Sequence, residues 1–235
     1  MKKLIACMVA LALPVVLLAS CVSGATQKVE PENTQPATEQ TPVSTPEDLQ
    51  LIETGYTVND GGYVQLAVGV RNPNEDFEAQ RYSLRITGKD EAGKIVFADD
   101  QVMNFLLPGG EDWFACTAGN GTAPATVEFA LSIKDNNWIK NDHVAEAAYI
   151  IDNVSEIVGD FAQVSYTGEI TASKEWSDVG SAWVSAILRD DAGAIVGGYY
   201  TYVDVSKQGE TVPFEITTYD VPEHSSFEVN ALPWW

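Results

Sequence analysis

Asp90-Glu91-Ala92-Gly93-Lys94-Ile95-Val96 returns one hundred positions later as Asp190-Asp191-Ala192-Gly193-Ala194-Ile195-Val196. An acid followed by Ala-Gly, set between apolar runs, is tight-turn chemistry. The Asp side chain accepts from the turn backbone, and Gly adopts positive φ without penalty. The same turn recurring inside similar flanks predicts two copies of one β plan.

The flanks carry the same message. Val64, Leu66, Val68 and Val70 alternate with Gln65, Ala67 and Gly69, the period-two pattern of a half-buried strand. At the same offset of one hundred, Val164, Tyr166 and Ile170 fall on Val64, Leu66 and Val70, and Val184 and Ala186 fall on Leu84 and Ile86. The parity of the alternation is kept, and a slip of one residue would turn every side chain to the other sheet face. Beyond the hairpin the sequence match moves to an offset of ninety-nine, with Gly110-Glu111 against Gly209-Glu210.

Turn signals punctuate the first copy at Asn59-Asp60-Gly61-Gly62, Arg71-Asn72-Pro73-Asn74 and Leu107-Pro108-Gly109-Gly110-Glu111. Between them lie β-rich runs opening at Gln50 and closing with Trp113 to Cys116 and Val127 to Ile133. In the second copy the last runs are Val212 to Ile216 and Phe227 to Leu232. Short strands at this spacing predict an all-β protein with two tandem immunoglobulin-like antiparallel β-sandwiches, over residues 49–140 and 146–235. The Ala-containing stretch Asp142 to Ile151 reads as a linker leading into a strand.

The N-terminus is different in kind. Met1-Lys2-Lys3 is a basic start, and Leu4 to Leu18 carries no charge but falls short of the ~20 residues a membrane span needs. Then comes Leu18-Ala19-Ser20-Cys21, which resembles the lipobox of bacterial lipoproteins. The resemblance implies a signal peptide over residues 1–20, cleavage before Cys21, and a diacylglyceryl thioether with further acylation such as palmitate. Cys21 is then the lipid-attachment site. Two or more acyl chains give stable anchoring at ~0.8 kcal/mol per buried methylene. The partner implied is the cell membrane, with the protein on its extracytoplasmic side. After Cys21, residues 22–48 hold no aromatic, Leu or Ile before Leu49, and Pro31, Pro36, Pro42 and Pro46 recur among Thr, Gln and Glu. Such a segment buries too little apolar surface to offset chain entropy and reads as a disordered tether over 21–48.

The formal charge is −21, and losing Lys2 and Lys3 with an acid-free leader makes the mature chain more negative. That disfavours nucleic acid and bare anionic membrane as partners. Of the three cysteines, Cys7 lies in the leader and Cys21 at its end, leaving Cys116 as a lone strand residue. The two histidines, His143 and His224, lie in different copies, read as exposed loop residues, and lack further ligands at zinc spacing. No nucleophile elbow, phosphate loop or His-Glu-x-x-His helix occurs.

Acid pairs at Asp90-Glu91, Asp99-Asp100 and Asp190-Asp191 suit solvated turns, since neighbouring strand residues point to opposite faces. Paired carboxylates across a cleft would instead suit glycoside hydrolysis. Asp135-Asn136-Asn137 and Asn141-Asp142 offer oxygen ligands for calcium without matching an EF-hand loop. Among six tryptophans, Trp113 and Trp183 read as strand residues of the core, and Trp138 and Trp176 as loop residues able to stack on sugars. Trp234-Trp235 reads as folded back against the second copy.

Three further features together resemble the FxLYD-type domains of bacterial surface lipoproteins, which are small immunoglobulin-like sandwiches. They are Gly69-Val70-Arg71-Asn72 at a strand end, the Asp-x-x-Gly hairpin, and Leu106-Leu107-Pro108-Gly109-Gly110-Glu111 before an aromatic strand. The naming motif is absent, with Ala186-Ile187-Leu188-Arg189-Asp190 its nearest echo. The second copy has Thr171-Ala172 in place of Arg71-Asn72 and lacks the Pro-Gly. The resemblance implies a fold and a surface setting, and carries no catalytic residue and no cofactor. The expectation is a lipid-anchored, non-enzymatic surface protein that binds an envelope protein or glycan. The alternative is a carbohydrate-binding or carbohydrate-processing lipoprotein.

Overall fold

The computed structural model describes residues 45–143, 146–174, 180–219 and 221–234. Within them the chain is all-β and antiparallel, as the alternation predicts. The first half contributes β1 (Gln50–Val58), β2 (Val64–Arg71), β3 (Phe77–Gln80), β4 (Ser83–Lys89), β5 (Ile95–Val102), β6 (Phe105–Leu106), β7 (Glu111–Ala118), β8 (Thr126–Ser132) and β9 (Trp138–Lys140). The second contributes β10 (Tyr149–Val158), β11 (Gln163–Ala172), β12 (Ser181–Arg189), β13 (Ile195–Asp204), β14 (Thr211–Tyr219) and β15 (Ser226–Trp234).

Each half is a sandwich of two three-stranded sheets. The orders are β1-β2-β7 and β5-β4-β8 in the first half, and β10-β11-β14 and β13-β12-β15 in the second. The first half adds a small side sheet, β6-β3-β9. Trp138, expected in a loop, therefore stands in a strand and packs against the first core.

The duplication holds bond by bond. In both hairpins the Asp carboxylate oxygen Oδ1 accepts from two backbone N–H groups, those of Ala92 and Lys94 at Asp90 and those of Ala192 and Ala194 at Asp190. Gly93 and Gly193 sit at φ 76° and 84°, where glycine is favoured. The same irregularity interrupts the ladder between Gly88 and Lys89 and between Leu188 and Arg189. The offset of ninety-nine read after the hairpin is corrected by the register. Arg71 faces Glu111 and Thr171 faces Thr211, so the period stays at one hundred. Gly109 and Gly209 are the equivalent residues, at φ 66° and 70°. The turn needs its left-handed residue at one fixed place, and Gly110 only happens to be a second glycine beside it.

Alternate residues of each sandwich fill its interior. Val64, Leu66, Val68, Val70, Leu84, Ile86 and Phe114 are buried in the first half; Tyr166, Ile170, Val184, Leu188, Phe214 and Ile216 are buried in the second. Each large side chain removed from water stabilises by roughly 1.5–3 kcal/mol.

The halves also pack against each other, face to face. Sheet β1-β2-β7 turns its outer side, with Ala67 and Ala115, onto the outer side of β13-β12-β15, with Ile187 and Ile195. The contact is close because the residues are small. A Cβ built on Gly55 would lie 2.0 Å from the Ile195 carbonyl oxygen, and one on Gly198 would lie 2.7 Å from the Ala115 Cβ. Edge strand β7 is capped at the same place. The Ala115 N–H donates to Ser185 Oγ at 3.0 Å, and Trp183 Nε1 donates to the Ala115 carbonyl at 3.1 Å. Two free groups of a sheet edge are thereby satisfied. Arg189 ties the seam further, donating to Glu53 and Glu228 and lying over the Trp113 ring.

Candidate functional site

Cys21, the expected lipid-attachment residue, lies outside the described residues with the rest of 1–44, the stretch read as leader and most of the tether, as do Trp176 and Trp235. Glu47, at the end of the stretch expected to stay unstructured, exchanges two hydrogen bonds with the Asn74 side chain, at 2.7 and 2.9 Å. The chain therefore enters the first sandwich pinned.

Most sequence-nominated side chains prove to be structural. Asp90 and Asp190 brace their hairpins. Asp100 pairs with Arg85 at 2.6 Å, and that bond holds its carboxyl below the usual range. Asp99 accepts from the Gly119 N–H. Cys116 is a buried free thiol, pushed up to about 12 by burial, with Asp99 adding to it; such a thiol is inert packing rather than a nucleophile. His143 is exposed, as expected. His224 is not. Its side chain is only 12% exposed, and Nε2 lies 2.9 Å from Glu156 and 3.5 Å from the Tyr166 hydroxyl. Pro222 and the neighbouring strands fold it inward, which a short polar loop in sequence does not announce. Among the described residues no group of His, Cys, Asp and Glu is placed to hold a metal ion.

The residues that carry the family resemblance meet in one network. Asn72 is fully buried, and its amide donates to the carbonyls of Phe77, Leu106 and Leu107 while its Oδ1 accepts from Asn74. Arg71 and Glu111 form an ion pair across β2 and β7 that lowers the Glu111 carboxyl. The strand-end Asn and the Leu-x-Pro-Gly turn are one device. That explains why the second half lacks both.

Three surfaces stand apart from this framework. The first is the β10–β11 hairpin. Its tip, Phe161-Ala162, occupies the positions of Gly61-Gly62, and both residues sit in the left-handed region at φ 57° and 59°. Phe161 is 96% exposed, Val158 74% and Tyr219 56%. Tyr219 pairs with Gln163, so all three lie at one end of the second half. A left-handed Phe with no burial is costly on both counts.

The second surface is a cavity of about 340 Å³ between the halves, at the opposite end of the strands. Its wall includes Asp112, Glu111, Asn104, Tyr149 and Leu232. Asp112 is 8% exposed, and Tyr82 donates its hydroxyl to Oδ2 at 2.8 Å. Burial pushes the Asp112 carboxyl up to about 7 against the lowering effect of that bond. Sequence reading missed it because Asp112 stands in a run of apolar strand residues. The signal was its parity, which places it on the inner face with Phe114 and Cys116.

The third is an aromatic cluster. Trp183, buried, is ringed by Phe114, Tyr200, Tyr202 and Trp234 at 5.0–5.7 Å between centroids. Tyr202 is 47% exposed. Trp234 thus packs, within β15, against Trp183 of its own half, as expected for that residue of the C-terminal pair; Trp235 is outside the described residues.

No protein-family model matches this chain, and no curated protein matches it.

Proposed function

We propose that this chain is a lipid-anchored, non-enzymatic contact protein of the bacterial envelope, held by Cys21 and presenting the β10–β11 hairpin to a protein partner. The observation that carries the reading is Phe161, 96% exposed on a left-handed backbone that its counterpart Gly61 does not take. Strain and exposed apolar surface kept together are a mark of a working surface.

The geometry supports the orientation. The tether enters at Gln50, and β1 runs nine residues to Val58, about 30 Å at ~3.3 Å per residue. The Asn59–Gly61 turn shares a surface hollow with Thr218 and Tyr219, so the hairpins of both halves lie at the end remote from Gln50. Asp160 beside Phe161, and the charge of −21, select an apolar pocket rimmed by cationic side chains over an anionic bilayer.

Two measurements test this. Replacing Cys21 with Ser should release the chain from membrane fractions; retention through the N-terminus ends the anchoring half of the reading. A photocrosslinker at the exposed neighbouring position 158 of the full chain in detergent should map to one envelope protein at such a pocket, with capture weakened by salt and lost when Phe161→Gly is added. Equal capture by that variant, or crosslinking to lipid alone, defeats the contact half.

Carbohydrate binding is the second reading, favoured by the Tyr202 and Trp234 rings, 5.5 Å apart with Tyr202 open to solvent. A glycan panel that binds the full chain and not Tyr202→Ala would move the function there.

A further inference from the structure

We propose that the cleft between the two halves at the tether end is a binding site for an alkylammonium group, with Asp112 receiving the cation and the apolar wall receiving the stem. The inference starts from a half-satisfied carboxylate. Asp112 is nine-tenths buried, and among the described residues only Tyr82 donates to it, on one oxygen. Every fully enclosed side-chain nitrogen and oxygen of the described residues has a hydrogen-bond partner. The second Asp112 oxygen is therefore not fully enclosed, no donor among the described residues reaches it, and Asp112 lines the cleft.

The fold does not require this acid. The internal duplicate places Val212 where Asp112 stands, on the same strand pair, and Ala182 where Tyr82 stands just before β4, and both positions there are apolar. A buried acid with one donor costs stability unless a cation completes it, and an apolar pair in its place is commonly neutral or better. One half has kept the polar pair that the other does without.

The surroundings define the ligand. Glu111 and Glu146 join Asp112 in the wall, and no Lys, Arg or His lines it. Met103, Leu106, Ile151 and Leu232 give the wall an apolar part, beside the amides of Asn104 and Asn230. A bare metal ion would need several hard oxygen ligands, and the described residues group none. A sugar would need an open aromatic face. Trp113 offers none: one face lies against Gly69, whose added Cβ would sit 2.6 Å from the ring, and Arg189 lies over the ring. An ammonium on an alkyl stem, such as a lysine side chain presents, satisfies the open oxygen and the apolar wall together.

The test is calorimetric titration of the full chain in detergent with n-pentylamine, pentan-1-ol and calcium chloride. We expect saturable binding of the amine, at least tenfold weaker binding of the alcohol, and at least a tenfold loss of amine affinity in Asp112→Asn. Ala147→Trp, at an exposed place on the wall, should block the amine without touching the Tyr82–Asp112 bond, and serves if the first variant does not fold. Absence of saturable amine binding, unchanged affinity in both variants, or calcium binding that depends on Asp112 would overturn the assignment.

Discussion

The two halves of this protein share their Asp-x-Ala-Gly hairpin and their strand pairings at a constant spacing, yet they differ at the β1–β2 and β10–β11 turns and at several exposed or buried side chains. The first half keeps Gly61-Gly62 in its hairpin with only Gly62 left-handed, and the second puts Phe161-Ala162 at the same positions with both residues left-handed. Asp112 and Tyr82 in the first half correspond to Val212 and Ala182 in the second. Asn72 and its turn are replaced by Ala172 and a shorter set of bonds. Where one copy supports the fold without a feature, the fold does not explain that feature in the other copy. The duplicate acts as an internal control, and what survives the subtraction is the hairpin tip and the buried acid.

The largest expected break in the comparison is electrostatic. The Asp112 carboxyl stands near 7 in the folded chain against an ordinary 3.8. The folded state thus holds a proton that the unfolded state has released between those values. Stability from this group is present at low pH and falls as pH rises from about 4 to about 7, by on the order of 4 kcal/mol. Urea unfolding at pH 4.5 and pH 8 should show that loss in the parent and its absence in Asp112→Asn. A parallel pH dependence in the two proteins would show that the acid is not destabilised by burial.

Next in size is Asn72→Ala, which strands the carbonyls of Leu106 and Leu107 and should cost about 3 kcal/mol in chemical denaturation. Ala172→Asn in the other half, with no such carbonyls arranged for it, should gain nothing. A cost under about 1 kcal/mol for Asn72→Ala would deny the network its role.

Gly55→Ala drives a methyl into the Ile195 carbonyl across the seam and should cost about 1–3 kcal/mol. The duplicate position already carries an exposed Ser155, so Ser155→Ala should be silent. Equal effects would mean that the seam is looser than its geometry.

The smallest effect has the opposite sign. Phe161→Gly with Ala162→Gly relieves two left-handed residues and should stabilise by about 1–2 kcal/mol while abolishing partner capture. A destabilised variant would show that the tip is structural.

Much of this was legible in the sequence. The recurring Asp-x-Ala-Gly turn and the conserved parity were enough to place the paired strands, because period-two burial and turn stereochemistry are local rules. Cys116 and Trp183 were legible as core for the same reason. The offset after the hairpin was misread because two adjacent glycines offered two alignments, and only the ladder between Arg71 and Glu111 chooses. The seam between the halves was written in the sequence but unread. Outward positions of β2 and β7 are Ala67, Gly69 and Ala115, while their duplicates are Thr167, Glu169 and Glu215. Small apolar residues on an outer face in one copy alone mark the face that is covered.

By itself, then, the chain determined the strands, their turns and the repetition, since each follows from neighbours a few residues apart. Tertiary structure decided the rest: that Trp183 of one half caps an edge of the other, that His224 turns inward, and that Asp112 meets Tyr82 beside a cleft. Those outcomes depend on residues far apart in sequence brought to within hydrogen-bonding range, and no local pattern encodes which distant surface a given face will meet.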